Sequence, residues 1–201
     1  MRTLLFAAAL AFAAAPAAQA QATIGLKGGL NTSWFSGNDS DNTDPRLGAQ
    51  AGLMARFNVN PAFALQAEAL YSQKGITAES NTPFGNIDGT VALDYLEIPV
   101  LARVSVPASP LLDVGIAAGP SIGIPVRTRA SLASGAGSTT SDIDARTDVG
   151  VAVGLDIGSG PFAVDARYTL GLTRPINDSV FGDPDVRNQN FNVSFIYLFG
   201  R

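Results

Sequence analysis

Eleven charged residues of this sequence stand at alternate positions of short apolar segments. Five are cations and six are carboxylates: Lys27, Arg56, Lys74, Arg103 and Arg167, with Glu68, Glu97, Asp113, Asp148, Asp156 and Asp165. Because the set is nearly balanced in sign, its members can form ion pairs. A buried charge without a partner is costly, so we expect pairing wherever the fold brings these residues together, although the sequence does not assign the pairs.

Two groups of carboxylates have a spacing that could support other chemistry. Glu68 and Glu97 lie on adjacent predicted segments and could form a carboxylate pair for acid and base catalysis. The favoured interpretation is that each of these glutamates pairs with an Arg or Lys on the same face of the predicted strands. Asp39, Asp41 and Asp44 offer oxygen ligands for Ca²⁺, but the stretch lacks the Gly and terminal Glu of an EF-hand. A solvated loop is favoured, and Ca²⁺ binding there is a hypothesis.

Composition excludes several classes of function. The 201 residues include no His and no Cys. The commonest general base, thiol nucleophiles, thiolate metal sites and disulfides are therefore absent. The net charge of −4 and a pI of about 4.7 argue against nucleic-acid binding. We expect no enzyme activity, no cofactor and no resident metal.

The N-terminus has the three parts of a secretory signal peptide, which we assign to residues 1–20. Arg2 supplies the positive charge, Leu4–Ala15 the apolar run, and Ala18–Ala20 the small-x-small cleavage pattern. A membrane helix is the alternative, but the apolar run is too short to span a bilayer. We predict that residues 21–201 form one mature domain.

The mature chain consists of segments in which apolar residues occupy every second position. This periodicity is typical of β-strands that have two different faces. The predicted strands are residues 23–31, 47–57, 63–74, 95–104, 112–119, 148–156, 162–170 and 190–199. Their number, about eight, is even.

The predicted connections alternate between long and short along the chain. The long ones, rich in Gly, Ser, Asn and Asp, are Ser36–Arg46, Gly75–Gly89, Pro125–Ala145 and Thr173–Asn188; the short ones are Asn58–Ala62, Pro107–Pro110 and Gly158–Pro161. Transmembrane barrels of the bacterial outer membrane have short periplasmic turns and long extracellular loops. The pattern therefore predicts an all-β fold: a closed antiparallel up-and-down transmembrane β-barrel of about eight strands.

Periodicity alone does not say which face of the strands points outward. A soluble barrel of lipocalin type would turn the apolar face inward, whereas a membrane barrel turns it to lipid. The second face combines balanced charges with many Gly and Ala residues, which would give long charged side chains room in a narrow lumen. Aromatic residues near strand ends also suit the two membrane interfaces. We therefore predict a lipid-facing apolar face, a lumen filled by the eleven charged residues, and pairing of the first strand with the last.

Three sequence blocks resemble the PorT-like outer-membrane β-barrel family of Gram-negative bacteria. They are GLKGGLN at Gly25–Asn31, LQAEALYSQKG at Leu65–Gly75 and YLEIPVL at Tyr95–Leu101, followed by a closing strand that ends Tyr197-Leu198-Phe199. The resemblance covers essentially the whole mature chain. It implies fold and location more than activity. One departure is that Gly200 and Arg201 follow the aromatic residue that barrel-assembly machinery usually recognises as the last one.

These observations lead to an expected function without catalysis. We expect an outer-membrane protein, exported through the inner membrane, whose extracellular loops have a structural or interaction role. Expected partners are outer-membrane lipid, the barrel-assembly machinery during insertion and an unidentified extracellular or envelope protein. A narrow channel, or an accessory subunit of a transport or secretion system, is one alternative. A soluble ligand-binding barrel is the other.

Overall fold

The computed structural model describes residues 21–37, 44–82, 85–109, 111–134, 137–142, 145–173 and 186–200. Within these ranges the chain forms nine strands: β1 Gln21–Gly37, β2 Asp44–Asn60, β3 Phe63–Thr82, β4 Gly85–Ser109, β5 Leu112–Ser134, β6 Gly137–Asp142, β7 Asp148–Ser159, β8 Phe162–Gly171 and β9 Val186–Leu198. No helix in the described ranges is long and apolar enough to cross a membrane. The predicted signal peptide lies outside them.

Eight of these strands close into an antiparallel barrel, as predicted. Each strand pairs with its neighbour in sequence around the ring, except that β5 pairs with β7. The first strand pairs with the last, with Gly28 opposite Phe195. The short strand β6 pairs with β5 outside the ring and was not predicted. Closure leaves the ring without a free edge, which hydrocarbon would not tolerate.

The apolar face of the barrel strands points outward. Along β9, Phe191, Val193 and Phe195 are each about half exposed, whereas the alternating Asn192 and Ser194 are buried. Side chains of a strand alternate between its two faces, so one period-two pattern sorts apolar groups to the outside and polar groups to the lumen. A lipocalin-type barrel needs the opposite arrangement, and this alternative is therefore not favoured.

The two ends of the barrel differ in their connections. At one end, here called the turn end, the chain passes from β2 to β3, from β4 to β5 and from β7 to β8 in tight turns. The Asn60 side-chain oxygen accepts hydrogen bonds from the backbone N–H groups of Ala62 and Phe63, at 2.9 and 2.8 Å. Such side-chain-to-backbone bonds are the reason Asn favours turns. The opposite end is called the loop end.

Aromatic side chains contact one another near both ends of β1, β8 and β9. At the turn end the Phe162 ring lies 5.4 Å from that of Tyr197, which contacts Phe199 edge-on at 5.2 Å. Towards the loop end the Trp34 and Tyr168 rings are 6.2 Å apart. Aromatic belts at these two levels are typical of proteins that cross a bilayer.

Two of the long loops expected from sequence are largely strands. The predicted loop Gly75–Gly89 contains the end of β3 and the start of β4, and Pro125–Ala145 contains the end of β5 and all of β6. These predictions are therefore wrong for most of their residues. Polar composition indicated loops, but a hairpin that stands in water needs no apolar face when its backbone groups pair with each other.

Candidate functional site

The lumen of the barrel holds the eleven charged residues singled out from the sequence. Ten of them are buried, and Asp113, near the turn end, is partly buried. They come from seven of the eight strands of the ring, all except β9. Three groups of contacts run from the middle of the barrel to its ends.

The central cluster consists of Lys27, Glu68, Asp165 and Arg167. The Arg167 guanidinium donates two hydrogen bonds of 2.8 Å to the two oxygens of Glu68, and a third of 3.0 Å to Asp165. The Lys27 ammonium lies 2.6 Å from Asp165 and 3.4 Å from Glu68. Two cations and two carboxylates thus share one site, in which each charge has two partners of opposite sign.

The turn-end cluster consists of Arg56, Arg103, Asp113 and Asp156. Arg103 donates to Asp156 from Nη2 at 2.6 Å and from Nε at 2.8 Å, and its Nη2 is 3.2 Å from Asp113. Arg56 joins this cluster to the central one: its Nη2 lies 3.6 Å from Asp156. Its Nε donates to Gln66, which in turn donates to Glu68. Polar contacts are therefore continuous from the central cluster to the turn end of the lumen.

A glycine makes room for the Arg103 guanidinium. A Cβ atom built on Gly115 would lie 2.3 Å from Cζ, Nε and Nη2 of Arg103, which no real pair of atoms tolerates without movement. Any other residue at position 115 would therefore require the Arg103 guanidinium to move. This contact gives one physical reason why small and charged residues share the lumen face.

Lys74, Glu97 and Asp148 lie nearer the loop end. Lys74 forms an ion pair with Glu97, and its ammonium lies 5.6 Å from the centre of the Tyr95 ring. Asp148 accepts hydrogen bonds from Thr173 at 3.0 Å and from Asn188 at 3.2 Å. No ion pair reaches Asp148 from the described residues.

The structure describes one of the two other arrangements of carboxylates considered from sequence. Glu68 forms ion pairs with Lys27 and Arg167, and Glu97 forms one with Lys74, so each carboxylate contacts cations, as the favoured interpretation expects. Asp39 and Asp41 lie outside the described residues, so the Ca²⁺ hypothesis for their loop stays a hypothesis.

Sequence reasoning also missed buried uncharged groups. Apolar side chains form three clusters: Met54 with Ala163, Ile196 and Leu198, Leu101 with Ala117 and Ala152, and Leu93 with Tyr95. Buried amide side chains, among them Asn31, Asn190 and Asn192, line the lumen towards the loop end. These residues occupy alternate positions on the lumen face of their strands, so the period-two pattern could have identified them. They were not singled out because they carry no charge.

Comparison with known proteins gives the family. The model of the family described as outer membrane protein beta-barrel domain matches residues 17–177, well over half of the chain. This match is broader than the PorT-like resemblance, which stays a prediction. No curated protein matches the sequence.

Several solved outer-membrane barrels are similar to the chain at low identity. Ail of Yersinia pestis, in complex with the heparin analogue sucrose octasulfate, is 16% identical, with 89% of this chain and 99% of that chain covered and a TM-score of 0.49. Neisserial surface protein A is 13% identical, with 88% and 97% covered and a TM-score of 0.49. OprG of Pseudomonas aeruginosa is 11% identical, with 89% and 96% covered and a TM-score of 0.45.

The family match agrees with the closed antiparallel ring, its outward apolar face and its polar lumen. These features place the protein in the outer membrane. The chain belongs to the outer membrane protein beta-barrel domain family.

Proposed function

We propose that this barrel has no catalytic role and presents a rigid β-sheet outside the cell as an interaction surface. The surface, here called the outer sheet, comprises residues 76–82, 85–94, 126–134 and 137–142 of β3, β4, β5 and β6. Short turns of outer-membrane barrels face the periplasm. The loop end, from which the outer sheet extends, would therefore face outward.

The observation that carries this proposal is the unequal length of the strands. β4 has 25 residues and β5 has 23, whereas β8 has 10. About 9–11 residues suffice for a tilted strand to cross a bilayer. At a rise of about 3.3 Å per residue, β4 is roughly 50 Å longer than β8. This excess is paired backbone, because Ile76 to Thr82 of β3 pair with Val91 to Gly85 of β4.

The surface chemistry of the outer sheet suits contact with water and with polar partners. Arg127 and Arg129 of β5 are exposed, and Ser138 to Ser141 of β6 form an exposed run of hydroxyls. The Ser131 and Thr140 hydroxyls are hydrogen bonded across the two strands at 3.1 Å. A paired sheet loses little conformational entropy when a partner binds, unlike a free loop of the same composition.

The lumen supports this proposal over a channel or an enzyme. Side chains of the central and turn-end clusters fill the half of the barrel nearer the turn end with ion pairs. A barrel of eight strands also leaves no room for an open aqueous pore. The carboxylates of these clusters are held by Arg and Lys, which suits a structural role. The sequence also supplies neither His nor Cys for catalysis.

Site-specific labelling and crosslinking in living cells test the proposal. Because the chain has no Cys, the Ser141→Cys variant would carry a single thiol on the outer sheet. The Ser159→Cys variant is the matched control, since Ser159 is an exposed serine at the turn end. We expect a membrane-impermeant maleimide to label the first variant in intact cells, and the second only after the outer membrane is permeabilised.

The interaction role is tested by a photo-crosslinking residue at the same two positions. We expect a discrete adduct from position 141 in growing cells. Labelling of position 159 in intact cells would contradict the orientation. The same residue at position 138, also on β6, gives a second test of the outer sheet. Correct orientation without any adduct from position 141 or 138 would contradict the interaction role.

A further inference from the structure

The exposed charges of the barrel are positive and lie at its loop end. Among the charged side chains that the structure describes, four are exposed, and each is an arginine: Arg127, Arg129, Arg146 and Arg187. The carboxylates described with them are buried or partly buried. At the turn end the described residues include no exposed charge. The outer face of the barrel therefore differs in charge between its two ends, although the whole chain has a net charge of −4.

Two of these arginines, Arg127 and Arg129, form a pair on the outer face of β5. Residues two apart on a strand point the same way, about 7 Å from each other. Arg127 lies opposite Asp94 of β4, and Arg129 lies opposite Ala92. Asp94 is on the outer face, because it accepts a hydrogen bond of 2.6 Å from the hydroxyl of Tyr71, which is 42% exposed there. Directly opposed residues share a face of the sheet, so both arginines point outward.

The arginine pair begins where the apolar outer face of the barrel ends. Towards the turn end, the exposed residues that precede it on β5 are Ile122, Ile124 and Val126. The register shift at Val126 lets this residue and Arg127 both face outward. Tyr71 marks the same boundary on β3, since tyrosine suits a membrane interface, where its ring meets hydrocarbon and its hydroxyl meets polar groups. Arg127 is thus the first charge of β5 beyond the apolar face.

Two carboxylates lie on the strands that flank the pair. Asp94 is only 6% exposed and accepts its hydrogen bond from Tyr71, whereas Arg127 is exposed. No ion pair joins Asp94 to Arg127 among the described residues. Asp142 of β6 lies opposite Arg129. Arg127 is therefore the arginine more open to an anion from outside, and Arg129 adds a second positive charge beside it.

We propose that Arg127 and Arg129 bind the phosphate group of an anionic lipid in the membrane leaflet at the loop end. A guanidinium group can donate two parallel hydrogen bonds to a phosphate, which suits arginine to this ligand. A lipid whose chains lie along Ile122 and Ile124 would hold its phosphate at the level of Arg127. A free phosphate ion gains nothing from this apolar face, so the position favours a lipid headgroup. The site needs no protein partner and is independent of the role proposed for the outer sheet.

Native mass spectrometry of the purified protein in detergent measures the binding of added lipid. The probes are phosphatidic acid and phosphatidylcholine with identical acyl chains. Both carry a phosphate, but the choline group cancels the net charge of the second lipid. One arginine near an anionic surface strengthens binding about fivefold, and two strengthen it about thirtyfold. We therefore expect the wild type to bind phosphatidic acid about 10–30 times more tightly than phosphatidylcholine.

Two double variants with the same change in net charge separate the proposed site from general attraction. Arg127→Gln with Arg129→Gln should reduce the preference for phosphatidic acid to about twofold or less. Arg146→Gln with Arg187→Gln is the matched control, because it removes two exposed arginines that do not lie side by side on one strand. This control should keep the wild-type preference within about twofold. Heat-dependent gel mobility checks that each variant is folded.

A competition experiment distinguishes a lipid headgroup from a free anion. Inorganic phosphate at about 10 mM is compared with NaCl of equal ionic strength, because salt screens exposed charges. We expect phosphatidic acid to stay bound equally well in both. Displacement by phosphate but not by NaCl would assign the site to a free anion and overturn the proposal. Equal losses in the two double variants, or no preference of the wild type for phosphatidic acid, would also overturn it.

Discussion

Replacing Glu68 with glutamine removes one negative charge from the point at which Lys27 and Arg167 converge. The glutamine has nearly the same shape, so the change tests charge rather than packing. Glu68 accepts two hydrogen bonds from Arg167 and one from Gln66. A glutamine amide keeps one accepting oxygen and turns its NH₂ group towards donors. Asp165 would remain as the only carboxylate for two cations.

The structure sets the size of the expected effect. The side chains of Lys27 and Glu68 have no solvent exposure, and that of Arg167 is 3% exposed, so water cannot replace the lost charge. Removing one partner of a buried ion pair typically costs about 3–5 kcal/mol. We expect Glu68→Gln to lower the free energy of unfolding by this amount.

Equilibrium urea unfolding in phospholipid vesicles measures the change. Trp34 is the only tryptophan and lies in the aromatic belt towards the loop end, so its fluorescence reports insertion. Gel mobility with and without boiling gives a second signal. Asp113→Asn is the matched control: its side chain is 24% exposed, and Arg103 keeps Asp156. A loss of about 1 kcal/mol or less is expected for this control. Equal losses in the two variants would refute the reasoning.

Two further substitutions test the lumen and the lipid face by the same urea titration. Gly115→Ala should destabilise the protein by about 1–3 kcal/mol, because its Cβ would overlap the Arg103 guanidinium. The control Gly28→Ala should not destabilise it, because its Cβ would meet nothing closer than 3.9 Å. Similar losses in both variants would contradict the steric argument. Val153→Arg, on the lipid face of β7, should cost about 2–4 kcal/mol near the bilayer midplane. Leu111→Arg, at a turn tip, should cost about 0.5 kcal/mol or less, and a neutral Val153→Arg would argue against lipid contact.

The faces of the strands could be predicted from sequence because strand geometry is local. Residues two apart point the same way, so Glu68 and Lys74 had to share a face wherever β3 lay in the barrel. The tight turns were predictable for the same reason, since Asn60 satisfies the turn backbone from within it.

The partners of the charges could not be predicted, because they depend on the relative shift of distant strands. Glu68 of β3 meets Arg167 of β8 across the lumen, 99 positions further along the chain. A slip of two residues between neighbouring strands would preserve every face and yet change the ion pairs that join those strands. Irregularities such as the register shift between Pro45 and Gln50 alter these offsets. Their positions are not marked by any residue type in the sequence.

The central cluster has a consequence for the order in which the barrel forms. Lys27 and Asp165 are 138 positions apart, and they can meet only when the strands curve into a closed ring. Until then the ion pair between these two residues contributes nothing to stability. Interactions that form after the folding transition state slow unfolding rather than speed folding. If ring closure follows that transition state, the ion pairs lower the unfolding rate. The barrel then stays closed long after the assembly machinery has released it.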